Sequence, residues 1–234
     1  MVYMSIIVPT FNEEKILDET LKSIVSQGME DKELIIADGE SKDKTLEIAR
    51  KYTDKIYSSK DKSVAYGRNK VLPYANGEVI VYVDADVRLY PGALEEVKRV
   101  MQNPNTSAGF FEVTTWDGTT PVRLMYKIGG FLSGIFKPFN VIWAFGPCMF
   151  FRRKALDSVN GFNDESVLDD ADVFNRLHKN KQKFVKIGKP VHISARKFNK
   201  QGLINGLFDL AKIWQDDLKG KKRESHHEIY QPVR

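Results

Sequence analysis

Val79-Ile80-Val81-Tyr82-Val83-Asp84-Ala85-Asp86 decides the architecture of this chain. An apolar, β-branched run of this length after Asn76-Gly77 reads as a buried strand. It ends in two carboxylates, and burying those is costly unless a positive charge stands between them. Hard oxygen ligands suit a divalent cation, and open α/β sheets bind ligands at the carboxyl ends of their strands. A metal held by Asp84 and Asp86 would be placed to grip a diphosphate.

The same rhythm extends on both sides. Met4 to Val8 is a strand stopped by Pro9, and Glu33 to Ala37 is another that ends at Asp38-Gly39. Between them Asn12 is expected to cap a helix whose apolar face is Ile16, Leu17, Leu21, Ile24 and Val25. A helix over 44–52, a short strand over 55–57 and a helix over 68–74 lead into the central strand. Pro91 is placed to open a helix that reaches Met101. Alternating β and α elements imply a mostly parallel sheet flanked by helices, with ligand groups at 9–12, 38–41 and 84–86.

Beyond Asn105 the reading is a strand over 107–116, a helix over 121–136 and a returning strand over 146–151. Lys137 is the single charge between Ile128 and Phe151, but Lys137-Pro138, Asn140 and Gly146-Pro147 interrupt the run before it reaches spanning length. It reads as a core element ahead of an interfacial segment or a lid. A helix starting near Ala171, strands over 184–187 and 191–194, an amphipathic helix over 201–219 and a polar tail over 220–234 complete the chain. The helix face is read as Leu203, Leu207, Leu210, Ala211 and Trp214, and His226 and His227 as incidental tail residues.

Composition sets outer limits. With 234 residues, 42% of them hydrophobic and 29% charged, the chain has mass for one sizeable core. Cys148 is the lone cysteine, which excludes an internal disulfide and a cysteine-based zinc site and suits a reducing compartment. The apolar stretch at the N-terminus is too short for a signal peptide. The net charge is +5, and 173–208 carries no acid but many lysines and arginines, a block that attracts phosphate or serves as a solvated face. No nucleic-acid motif or aromatic-basic interleaving accompanies it.

Four blocks, Val8-Pro9-Thr10-Phe11-Asn12-Glu13-Glu14, Ala37-Asp38-Gly39-Glu40-Ser41-Lys42-Asp43, Gly67-Arg68-Asn69 and Val83-Asp84-Ala85-Asp86, resemble the family 2 glycosyltransferases in order and spacing. Leu168-Asp169-Asp170-Ala171-Asp172 with Arg176-Leu177 resembles that family's E-D-x-D…R-L block. The likeness runs over about residues 4–200. It implies a GT-A, Rossmann-like fold and inverting transfer of a sugar from a UDP- or GDP-sugar, with Mn2+ or Mg2+. It also implies one domain over 1–219, divided into a nucleotide-sugar-binding half (1–105), an acceptor half (106–200) and the C-terminal helix.

Residue by residue, the resemblance puts Pro9, Thr10, Glu13 and Asp38 in the nucleotide pocket and brings Arg68 to the nucleotide, with a structural salt bridge as its other reading. Asp86 is the metal ligand, and Asp84 contacts ribose, or metal through water. Asp170 matches the general base, while Asp169 stands where the family often has Glu, which leaves the register of the pair open. His192 falls where some members place an extra metal ligand, and Arg196 where a basic residue meets the diphosphate. Two other readings stay open. One is a haloacid-dehalogenase-like phosphatase using the D-x-D strand end, and the other a non-catalytic nucleotide-sugar-binding protein. The apolar stretch and basic end (Lys219 to Arg223) suggest a lipid-linked acceptor and a cytoplasmic protein in peripheral contact with the inner face of the membrane.

Overall fold

The computed structural model describes residues 2–60, 63–135, 146–166 and 168–219. The interrupted apolar stretch over 136–145, including Lys137, and the tail with His226, His227 and the Lys221 to Arg223 cluster lie outside the described residues.

The strands are β1 (Met4–Thr10), β2 (Lys32–Asp38), β3 (Ile56–Ser58), β4 (Val79–Val83), β5 (Val87–Arg88), β6 (Thr106–Thr115), β7 (Cys148–Arg152) and β8 (Lys183–Ile193). They form an 8-stranded sheet in the order β3-β2-β1-β4-β7-β6-β8-β5. The half built from β1 to β4 is parallel throughout. Antiparallel β7 then enters between β4 and β6, β6 and β8 run parallel, and β5 closes the far edge antiparallel to β8. The sheet is therefore mixed beyond β4. The all-apolar β4 is buried at every position because helices cover both of its faces.

One face packs against α1 (Leu17–Val25), α2 (Thr45–Ala49), α4 (Ala93–Met101) and α5 (Thr120–Ile135). The other packs against α3 (Val64–Val71), α6 (Arg153–Asp157) and α7 (Asp169–Lys179). A 3-10 turn over Leu72–Tyr74 follows α3, and α8 (Arg196–Gln201) and α9 (Leu203–Leu218) end the described chain.

Several local expectations need correction. Asn12 does not cap α1, which starts at Leu17. It sits instead in the left-handed region at φ 55, where its side-chain oxygen accepts from Lys42 N–H and its own N–H donates to Ser41 Oγ. Asparagine tolerates that conformation, and the bonds tie the first loop to the second. Val25, expected in the apolar face, is exposed. Pro91 precedes α4 rather than opening it, because Gly92 takes φ 87 between them. The strands expected over 184–187 and 191–194 are one, β8. Its Pro190 is accommodated by an irregularity in register between Phe111 and Val113 of β6, the kind of position where a ladder tolerates proline. The helix expected over 201–219 is α9, which starts just after Gly202, φ 83, and the short α8 before it has no counterpart in the sequence reading.

On β6, between β7 and β8, Gly109 faces a crowded site. A Cβ there would lie 2.5 Å from the Val185 carbonyl and 2.6 Å from Phe150 Cε2. Backbone cannot retreat as a flexible side chain can, so Gly109→Ala is expected to destabilise the fold by about 1–3 kcal/mol, read as a fall in the midpoint of urea unfolding.

Candidate functional site

Parallel β1, β2 and β4 deliver Thr10, Asp38 and Asp84 to the same edge of the sheet. Because β7 is antiparallel to β4, it begins where β4 ends, and Asp84 N–H donates to the Pro147 carbonyl at 2.8 Å. The turn after β4 is fixed from two sides. Thr20 of α1 donates its hydroxyl to the Ala85 carbonyl at 2.7 Å, and Ser194 N–H, just past β8, donates to the Asp86 carbonyl at 3.1 Å.

Arg68 holds the centre. Its side chain is 3% exposed, and its guanidinium donates to Asp84 Oδ1 at 2.8 Å and to Asp169 Oδ2 at 2.9 Å. The rings of Tyr82 and Phe162 lie 5.8 and 5.2 Å from its Cζ. The charges of Asp169 and Asp84 outweigh the desolvation of the guanidinium and raise its already high pKa. Arg68 makes the salt bridge of its second sequence reading, which cross-links the D-x-D turn to the start of α7.

Asp84, Asp86 and Asp170 all titrate high. Burial, helped by Asp86 and Asp169 and opposed by Arg68, pushes Asp84 up to about 7. Burial with the charges of Glu13 and Asp117, against Arg196, takes Asp86 to about 6. Asp170 rises to about 7 through burial and the charge of Asp169, while bonds from the backbone at Ala171 and Gly146 pull the other way. Asp169 is committed to Arg68, whereas Asp170, among the described residues, takes its bonds from the backbone of Ala171 and Gly146.

The first loop forms the opposite wall. Asp38 is 1% exposed; it accepts from Thr10 Oγ1 at 3.1 Å, Ser41 Oγ at 2.6 Å and Ser41 N–H at 2.9 Å. Those bonds use three of a carboxylate's roughly four lone-pair positions. Pro9 lies beside them, paired with Ala37 at the end of β1. Glu13 is bound through both carboxylate oxygens by Arg196, with the Nη2 bond at 2.6 Å, and Arg196 also stands 4.0 Å from Asp86. Glu13, Arg196 and Asp86, which are far apart in sequence, are thus brought into one group. His192 is not part of it. It is exposed beside Arg88 in the β5–β8 ladder, on the strand face opposite to buried Val191 and Ile193.

A divalent cation fits this edge on its donor set. Two carboxylates raised in pKa by burial and nearby negative charge gain from a cation, and Asp84 keeps one oxygen clear of Arg68. No group of three or more His, Cys, Asp or Glu able to hold a metal is formed among the described residues. Remaining ligand positions would fall to phosphate and water, which is how Mg2+ commonly binds.

Two residues carry functions that the sequence did not reveal. Asp117 accepts from Ser194 Oγ at 2.8 Å, Ala195 N–H at 2.6 Å and Thr115 Oγ1 at 2.9 Å, which fixes the turn from which Arg196 projects. Burial would raise its pKa, but these bonds outweigh burial and hold it low. Gly146 lies against Asp170, where a Cβ would stand 2.7 Å from the aspartate Cβ, 2.8 Å from Cγ and closer still to Oδ2. In sequence, Asp117-Gly118 and Gly146-Pro147 read as turns, with nothing to tell them from others.

The basic block is largely used locally. Lys186 is 3.8 Å from Glu112, Lys189 sits 4.0 Å from the Tyr90 ring, Lys197 is 3.5 Å from Asp209, and Arg176 pairs with Asp172 while donating to the carbonyls of Val159 and Gly161.

Two outcomes follow for stability. Arg68→Met strands Asp84 and Asp169 without their cation and is expected to cost about 3–5 kcal/mol in chemical denaturation. Asp86→Asn is expected to do the reverse. A carboxyl whose folded pKa is raised to about 6 contributes stability at low pH that is lost as pH rises from its unfolded value, so removing the charge should raise Tm at pH 8 but not at pH 4. The expected rise is about 2–4 °C by scanning calorimetry.

Residues 5–159 match the family described as Glycosyl transferase family 2. Over 74 residues the chain is 40% identical to the cholesterol galactosyltransferase of Borreliella burgdorferi, covering 30% of this chain and 21% of that protein. Over 79 residues it is 35% identical to the dolichyl N-acetyl-alpha-D-glucosaminyl phosphate 3-beta-D-2,3-diacetamido-2,3-dideoxy-beta-D-glucuronosyltransferase of Methanococcus voltae, covering 30% and 25%. Each match therefore spans a quarter or less of the relative. Among solved structures, the mannosyltransferase PcManGT from Pyrobaculum calidifontis, in complex with GDP-Man and Mn2+, superposes with a TM-score of 0.73 at 18% identity, covering 97% of this chain and 67% of that one. S. aureus TarS 1-349 in complex with UDP-GlcNAc gives 0.64 at 18% identity, with 82% and 58% covered. The chain belongs to glycosyl transferase family 2 and has the GT-A fold of these enzymes.

Proposed function

We propose that this glycosyltransferase moves a sugar from a UDP- or GDP-sugar to an acceptor hydroxyl with inversion, using a divalent cation and Asp170 as general base. The observation that carries this reading is the convergence of Asp84, Asp86 and Asp170 at one sheet edge, joined through Arg68 and Asp169. The fold itself gives weight against the phosphatase alternative, because the strand ending in D-x-D is the fourth in the chain and lies inside the sheet.

Asp86, with the free oxygen of Asp84, would hold Mn2+ or Mg2+, as the Mn2+ in the PcManGT complex encourages. Bound there, the ion would offset charge developing on the leaving diphosphate. Thr10, Asp38 and Glu13 wall the nucleotide side. Arg196 would exchange Glu13 for diphosphate oxygens, a match for its planar fork. Inverting transfer is a single displacement, so one carboxylate must take the proton of the attacking hydroxyl. Asp170 suits that role over Asp169: its bonds among the described residues come from backbone rather than from an ion pair, and its pKa near 7 makes it a better proton acceptor than an ordinary aspartate. Two relatives are named for cholesterol and dolichyl substrates, which supports a lipid-linked acceptor here.

Calorimetric titration of UDP and GDP, each with and without Mn2+, is expected to show metal-dependent binding of one nucleotide that Asp86→Ala abolishes. Failure of folded protein to bind either would overturn the proposal. Asp170→Asn should retain that binding yet lose transfer by about 10²–10⁴-fold, measured as nucleotide diphosphate release with a lipid extract as acceptor. In the wild type kcat should rise with pH and level off above about 7, as Asp170 loses its proton. Gly146→Ala, which displaces the Asp170 carboxylate, should lower kcat while leaving nucleotide affinity intact.

A further inference from the structure

α9 is built inside out. Its acids, Asp209, Asp216 and Asp217, are buried or only partly exposed together with Gly206 and Ile213. Ile204 is 70% exposed, Phe208 71% and Leu207 44%. A surface helix of a globular protein ordinarily shows the reverse arrangement. Leu207, Leu210 and Ala211, read in the sequence as part of the apolar helix face, are all exposed.

The inward side of α9 has its own reasons. Gly206 lets Phe198 of α8 approach so closely that a Cβ would lie 2.5 Å from the ring at Cε1. Asp209 accepts from Gln201 Nε2 at 3.0 Å and stands 3.5 Å from Lys197. These contacts fix the rotation of α9 and leave its apolar stripe outward. Neighbouring α5, joined to α8 through the Tyr126–Phe198 ring pair at 6.1 Å, has the same exposed composition: Leu124 and Ile128 beside Arg123 and Lys127.

The sign of the exposed charge identifies the occupant. Exposed charged residues of α5 and α9 among the described ones are all basic, Lys212 included, while the acids of α9 turn away. Lys219 at the end of the helix is exposed, and in sequence Lys221, Lys222 and Arg223 follow. An apolar protein groove would be indifferent to that bias. Anionic lipid headgroups above acyl chains complement both parts of it. We propose that α9, assisted by α5, docks this chain onto an anionic lipid surface, with Ile204, Leu207 and Phe208 entering the headgroup–acyl boundary. Among the described residues no helix is long and apolar enough to cross a membrane, so the contact is one of lying on the surface.

The test is flotation of the full chain with phosphatidylcholine vesicles, with and without phosphatidylglycerol. The wild type is expected to float with the anionic vesicles and to be released by high salt. The double variant Ile204→Asp, Phe208→Asp should lose more than about tenfold in vesicle binding. Both positions are exposed, so its circular dichroism, Tm and Mn2+-dependent nucleotide binding should match the wild type; that last readout separates failure of this proposal from failure of the transferase reading. Absence of the wild type from floated vesicles, or equal flotation of the folded double variant, would overturn the proposal. So would a wild-type dimer in light scattering that the double variant dissociates, since a second copy would then be the occupant.

Discussion

A buried guanidinium between two carboxylates is the constraint on which this molecule depends. Arg68 comes from α3, Asp84 from the end of β4 and Asp169 from the start of α7, so one side chain connects three elements that no backbone ladder joins. Desolvating a cation is expensive, and the two carboxylates repay it only while both stay in place. The D-x-D turn and the Asp169-Asp170 pair are therefore held in fixed relation before any ligand arrives.

The same constraint explains the unbalanced electrostatics of the edge. Burial first, and after it the negative charge that one arginine cannot neutralise, leaves Asp84, Asp86 and Asp170 titrating between about 6 and 7. Arg196 supplies part of the missing charge from the opposite wall, through Glu13 and at longer range Asp86. A site short of cations and open at strand ends favours ligands that carry a cation in with them. Stability and function pull in opposite directions here, a common property of preorganised sites.

The strand ends were legible from sequence because a β-branched run closing on carboxylates makes little sense except at the mouth of a sheet. The succession of the first four strands along the chain and the Asp84–Asp86 turn at a strand end follow that reading, whereas the sheet order and the Arg196–Glu13 pair do not. What stayed hidden needed depth or rotation. Periodicity found the apolar stripe of α9 but could not say which side faces the body, and the packing of Gly206 on Phe198 decided it. Likewise Arg68 looks the same in sequence whether it meets a ligand or two buried aspartates. The left-handed Asn12, the irregular stretch at Pro190 and the tight fit of Gly146 each arise from a neighbour remote in the chain.

The break at Gly202 has a mechanical consequence. α8 is a rigid piece about 9 Å long, with Arg196 as its first residue and the left-handed glycine immediately past its last. Between those ends Phe198 is wedged between Tyr126 and Gly206, so one ring packs α8 against both α5 and α9. The seat of α9 and the base of Arg196 therefore share one short helical anchor.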